Sequence, residues 1–266
     1  MRCAVIGKPI AHSLSPDLHR AAYHFLELDW QYDRFEVGRY EVARFVTALD
    51  RTWRGLSVTM PCKPAIVALG RPDPMVRALG VGNTVIFDGE PGDPATTRIH
   101  NTDVPGIQSV LQTPDVDLSA GVTILGNGAT ARACVYALAG MRVPVVSVRA
   151  RSVEKTTRLA ADAADWGIEV REAAGPTGAV ISTVPPEVAE SWTGELGRPR
   201  FVFDVLYEPW RTPLIQWAEE MGAQTATGLD LLVYQAVGQV ALMTGKPVPP
   251  AILRWAAEQA IARRVG

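Results

Sequence analysis

The chain has 266 residues, 47% of them hydrophobic and 20% charged, with a formal net charge of -2. This is an ordinary globular composition with length for two modest domains, and neither a nucleic acid nor a membrane is expected as a partner: there is no basic block beyond Arg263 and Arg264, and no apolar run nears the roughly 18 residues of a membrane span. Cys3, Cys62 and Cys134 are scattered with no metal-ligand spacing, and the N-terminus is too quickly polar for a signal peptide, so no metal, no disulfide framework and a cytoplasmic location are expected.

Residues 3–6 read as a buried strand, followed by a polar loop over 7–15 and a helix opening at Pro16 with Ser15 as its cap. Alternation over 30–37 predicts a strand, 42–49 a helix, and 56–58 a strand that stops just before Pro61 and Lys63. A short helix at 66–69, a Pro-rich turn at 71–74 and a strand at 83–87 complete this half, which has no Gly-rich phosphate turn. A helix at about 107–111 and a polar linker over 112–120 lead into a second alternation. Its strands are 122–125, 143–148, 168–170, 179–182 and 201–205, with helices at 131–139, 153–166 and 213–221 between them. Near-continuous apolar strands alternating with helices predict a parallel sheet covered on both faces. Two further helices, 231–244 and 250–263, follow where that sheet should have closed, and are expected to return to the first half.

Two stretches carry chemistry. In the second half, G-V-T-I-L-G-N-G-A-T-A-R-A (121–133) reads as strand, tight turn and helix. Gly126 suits the turn, Gly128 lets backbone approach a pyrophosphate, Ala131 occupies the third small position, and the helix N-terminus offers N-H groups to phosphate. After the next strand comes Arg149-Ala150-Arg151-Ser152, with no acid before Glu154, which favours NADP over NAD. In the first half Lys63, Asn83-Thr84 and Asn101-Thr102-Asp103 each adjoin a predicted strand end, where open α/β sheets form ligand crevices. Such a set of groups suits a polyhydroxylated substrate.

Seven motifs then resemble, in order, those of the shikimate dehydrogenase family. They are H-S-L-S-P (12–16), G-L-S-V-T-M-P-C-K (55–63), G-N-T (82–84), N-T-D (101–103), G-N-G-A-T-A-R-A (126–133), D-V-L-Y-E-P with T-P-L (204–214) and G-L-D-L-L-V-Y-Q-A (228–236). The resemblance implies a two-domain α/β protein. One domain (1–103 plus 237–266) would bind substrate, and a Rossmann-like doubly wound domain (104–236) would bind NADP. It further implies reversible, NADP-dependent reduction of 3-dehydroshikimate to shikimate, in aromatic amino acid biosynthesis.

By matching position, Lys63 and Asp103 resemble the catalytic pair, and Ser13 and Ser15 the hydroxyls that hold the substrate carboxylate. Thr59, Asn83, Tyr207 and Gln235 resemble further substrate contacts. Gly126, Asn127, Gly128, Ala129 and Thr130 would cradle the pyrophosphate, Arg151 and Ser152 the 2'-phosphate, and Thr183, Val205 and Gly228 would border the nicotinamide and its ribose. Three places depart from the family pattern: Ala150 stands where an asparagine is common, Gly82 lies in an unusual G-V-G-N-T, and Val104-Pro105 follows N-T-D. Competing expectations are a catabolic quinate/shikimate dehydrogenase using NAD and a non-catalytic sensor of shikimate or dinucleotide. A methylenetetrahydrofolate dehydrogenase is disfavoured because no tyrosine has a lysine four residues on. Monomer and homodimer are both left open.

Overall fold

The computed structural model describes residues 1–114 and 116–265. In chain order its elements are β1 (Arg2–Gly7), α1 (Ser15–Phe25), β2 (Gln31–Glu36), α2 (Val42–Thr47), β3 (Trp53–Val58), a 3-10 turn (Ala65–Leu69), β4 (Arg71–Pro72), α3 (Pro74–Leu79), β5 (Thr84–Phe87) and β6 (Thr97–His100). Then come α4 (Asp103–Leu111), β7 (Val122–Leu125), α5 (Ala129–Gly140), β8 (Val145–Arg149), α6 (Val153–Asp165), β9 (Glu169–Glu172), β10 (Ala179–Ser182) and α7 (Pro186–Trp192). A second 3-10 turn (Thr193–Glu195) precedes β11 (Phe201–Asp204), α8 (Pro213–Glu220), β12 (Gln224–Thr227), α9 (Gly228–Thr244) and α10 (Pro250–Val265). The chain divides into two compact units, 1–103 with 232–266 and 104–231. No helix among the described residues is long and apolar enough to cross a membrane.

The first unit is built on a six-stranded sheet of order β2-β1-β3-β5-β6-β4. β1 pairs in parallel with β2 and β3, whereas β5 runs antiparallel to both β3 and β6. That reversal places Asn83, which precedes β5, at the same sheet edge as the carboxyl ends of β1, β3 and β6. The expectation that Asn83 lies at a strand's end is therefore corrected: it stands at a strand's beginning and reaches the edge through antiparallel pairing. A core of Ala4, Ile6, Leu56, Ile66, Val76, Val85 and Ile99, each wholly buried, fixes the sheet's packing. Burial of its larger side chains stabilises by about 1.5–3 kcal/mol each.

Other expectations are corrected locally. The residue preceding α1 is Leu14, no side chain caps that helix, and Ser15 is its first residue. Instead the Ser15 N-H donates to Ser13 Oγ at 3.3 Å. The stretch read as a Pro-rich turn holds the two-residue β4 and the start of α3, whose cap is Asp73, accepting from the Val76 N-H at 2.7 Å. β12 and α7 escape the sequence reading, which implies a strand end before Asn101 but gives β6 no range of its own: β6 and β12 because they are short and polar in alternation, α7 because two prolines at its start hide a seven-residue helix.

The second unit is wholly parallel, in the order β12-β11-β10-β7-β8-β9. Counted from its own first strand this is the doubly wound order, with β7 and β10 flanking the point where the winding direction switches. Here the expected parallel sheet and its phosphate turn coincide, since Gly126 follows β7 directly.

Candidate active site

At the first unit's strand ends, Lys63 Nζ lies 2.6 Å from Asp103 Oδ2. The side chains are 25% and 13% exposed, so the pair is sheltered but open to a small molecule. The other carboxylate oxygen, Oδ1, accepts from Asn83 Nδ2 at 2.9 Å. That nitrogen also lies 2.9 Å from Thr102 Oγ1 and 3.1 Å from Gln235 Oε1, so its two protons are shared among three acceptors. Asn83 Oδ1 accepts from the Thr102 N-H and the Thr84 hydroxyl, both at 2.8 Å, which fixes the amide's orientation. Asn101 Oδ1 accepts the Asp103 N-H at 2.9 Å. The N-T-D stretch is thus a set of interlocked turn bonds that aims one carboxylate at one ammonium.

Beneath this pair lies a buried chain that sequence reading missed. Gln239, 2% exposed, donates from Nε2 to the Asn83 carbonyl and Thr84 Oγ1, each at 3.2 Å. Its Oε1 accepts from Ser57 Oγ at 2.7 Å and faces His19 Nε2 at 3.3 Å, and Tyr32 donates to Ser57 at 2.6 Å. The signal was present as two glutamines four residues apart, 235 and 239, on a largely apolar helix, where i and i+4 share a face. Gly238 on that helix lets it come close to Thr102: an added Cβ would stand 3.2 Å from Thr102 Cγ2.

Ser13 and Ser15 sit in the loop after β1 and at the start of α1, Ser13 half-buried and Ser15 buried. Thr59 follows β3 half-buried, its N-H donating to the Ile6 carbonyl at 2.9 Å. The first unit therefore gathers Ser13, Ser15, Thr59, Lys63, Asn83, Asp103 and Gln235. Tyr207 belongs to the second unit, half-buried in the loop after β11.

In the second unit, Gly126 has φ of +108°, and a Cβ there would meet Thr183 Oγ1 at 2.5 Å. Only glycine holds that turn without strain. Thr183 Oγ1 in turn donates to the Leu125 carbonyl at 2.8 Å, bridging β7 and the end of β10 at the switch point. A Cβ on Gly128 would find no heavy atom within 4 Å, so the approach to the first residues of α5, Ala129 and Thr130, is open. Asn127 Nδ2 donates to the Ser152 carbonyl at 2.8 Å and to Thr156 Oγ1 at 2.9 Å, tying the turn to the start of α6. Ser152 caps that helix, accepting from the Lys155 N-H at 3.3 Å. Of the two arginines after β8, Arg149 pairs with Glu195 at 2.6 Å and lies 5.5 Å over the Trp192 ring, whereas Arg151 is exposed. Gly228 presses on the strand end bearing Val205: a Cβ would stand 2.3 Å from the Val205 carbonyl oxygen. A sharp glycine turn, an open helix N-terminus and an exposed arginine past the second strand fit a dinucleotide with a 2'-phosphate.

Comparison with known proteins agrees with this geometry. Residues 5–85 match the family model described as the shikimate dehydrogenase substrate binding domain. A shikimate dehydrogenase (NADP(+)) of Natronomonas pharaonis is 34% identical, with 92% of this chain and 94% of that protein covered. The crystal structure of Mycobacterium tuberculosis shikimate dehydrogenase superposes with a TM-score of 0.88 at 33% identity, covering 97% of this chain and 99% of that one. The Thermus thermophilus shikimate 5-dehydrogenase, solved in complex with NADP(H) and shikimate, gives 0.82 at 25% identity, covering 98% and 99%. On its sequence and its fold alike, this chain belongs to the shikimate dehydrogenase family.

Proposed function

We infer that the protein catalyses the reversible, NADP-dependent reduction of 3-dehydroshikimate to shikimate, a cytoplasmic step of aromatic amino acid biosynthesis. The observation that carries this reading is the Lys63–Asp103 contact of 2.6 Å, held by Asn83 at an open sheet edge of the first unit. When bound, NADPH supplies the hydride. The ring carbonyl oxygen gains negative charge as its carbon is reduced, and the Lys63 ammonium stabilises that charge and donates the proton. Asp103, whose second oxygen is occupied by Asn83, keeps the ammonium pointed to one side and accepts from an adjacent substrate hydroxyl. Ser13 and Ser15 hold the substrate carboxylate, and Thr59, Gln235 and Tyr207 take its remaining oxygens. In the second unit the 126–130 turn holds the pyrophosphate, Arg151 and Ser152 the 2'-phosphate, and Thr183, Val205 and Gly228 line the nicotinamide end.

Steady-state oxidation of shikimate and of quinate, each with NADP and with NAD, tests the reading. Turnover of shikimate with NADP well above the other three pairs is expected. Preference for NAD or quinate would replace it with the catabolic activity, and folded protein inert with every pair would replace it with a sensor.

A further inference from the structure

The residues that would hold the substrate carboxylate, Ser13 and Ser15, are neutral, so a positive potential has to come from elsewhere. The loop carrying Ser13 is gripped by two arginines. Arg264, near the end of α10, donates from Nη1 to the His12 carbonyl at 2.7 Å and from Nη2 to the Ser13 carbonyl at 3.5 Å. Arg34, on β2, donates to the Ala11 carbonyl. A carbonyl satisfies a guanidinium's hydrogen bond without cancelling its charge.

The surrounding ion pairs leave that charge in excess. Every carboxylate of α1 and β2 is matched to another cation: Asp17 to Arg263 at 2.9 Å, Asp33 to Arg20 at 3.3 Å and Glu36 to Lys8 at 3.3 Å. Among the described residues, Arg34 and Arg264 have no carboxylate partner. The consecutive arginines of α10 therefore divide the work. Arg263 neutralises Asp17, two residues past Ser15, which would otherwise repel an incoming carboxylate, and Arg264 adds one net positive charge on the carbonyls beside Ser13.

We propose that Arg264, with Arg34 behind it, is an electrostatic determinant of carboxylate recognition, drawing and holding the anionic end of the substrate at Ser13 and Ser15. This rests on reading the first unit as the shikimate site. A site using two neutral hydroxyls for orientation and a flanking guanidinium for charge separates geometry from attraction, and keeps the arginine, itself exposed, out of the reacting volume.

The test compares shikimate with its methyl ester, which keeps the ring hydroxyls and loses the charge, on wild type, Arg264→Gln, Arg264→Lys and the double variant Arg34→Gln/Arg264→Gln. Arg264→Gln is expected to raise the KM for shikimate by roughly fivefold, the scale of one partly screened surface charge, with kcat within twofold and the ester's KM unchanged. The double variant raises it further, Arg264→Lys restores it, and added salt narrows the gap between wild type and Arg264→Gln. An equal rise for acid and ester would overturn the proposal in favour of simple loop ordering, and no rise for either would overturn it outright. Wild-type protein that is folded but inactive on shikimate would instead remove the functional reading on which it rests.

Discussion

The Asn83 amide nitrogen lies 2.9 Å from Asp103 Oδ1, the carboxylate oxygen that Lys63 does not touch. The carboxylate is thus held from both sides, by a neutral donor and by a cation, and cannot rotate to offer Lys63 its other oxygen. Replacing Asn83 with leucine removes that hold and strands the Thr102 N-H, which now donates to Asn83 Oδ1. A buried donor left unsatisfied costs about 1–3 kcal/mol, so Asn83→Leu should lower the thermal midpoint by several degrees and depress kcat as well. A variant as stable and as active as wild type would show that the amide is dispensable.

Lys63→Ala removes the proton donor while leaving the loop after β3 in place. Loss of a positioned acid-base group typically lowers rate by about 10²- to 10⁴-fold. Steady-state kinetics should show that fall in kcat, with a smaller change in KM for shikimate; near-normal turnover would reassign the proton to another group.

Arg151 is the exposed arginine past β8, whereas Arg149 is already committed to Glu195. Arg151→Gln should raise the KM for NADP by roughly 10-fold or more, the loss expected of a charge-assisted phosphate contact, and leave NAD almost unaffected. The ratio of kcat/KM for the two cofactors reads this directly, and an unchanged ratio would move 2'-phosphate recognition away from this residue.

His19 is fully buried, stacked at 4.0 Å on Tyr32, with Tyr23 at its edge and Gln239 at its Nε2. Burial lowers its pKa to about 3, partly opposed by the Gln239 bond. The unfolded chain, with an ordinary histidine near pH 6.5, takes up the proton first as pH falls. The neutral ring therefore contributes no acid penalty above about pH 6.5, and stability is lost below it at about 1.4 kcal/mol per pH unit until about pH 3. His19→Phe keeps the stack and removes the proton site. Between about pH 6.5 and about pH 4.5 its thermal midpoint should fall less steeply than that of wild type; parallel curves would mean that His19 protonation is not coupled to unfolding.

What is local could be read from the residues without a fold. Gly126 and Gly128 after an apolar strand announce a phosphate turn, Gly126 because backbone sterics at its positive φ admit little else and Gly128 because it has no side chain to block the approach to the helix N-terminus, and the strand-helix alternation around them dictates a parallel sheet. The same reading placed Lys63 and Asn101-Thr102-Asp103 beside strand ends. How these groups meet was settled by packing. Asn83 reaches the carboxylate because β5 runs antiparallel, a pairing that its four residues, Thr84 to Phe87, do not encode. Gln239 supports Asn83 from 156 residues away, and Arg264 grips the loop of Ser13 from 251 residues away. Neither contact leaves a local trace, because a hydrogen bond depends on where two elements pack, and that is set by burial of the whole core rather than by the residues that make the bond.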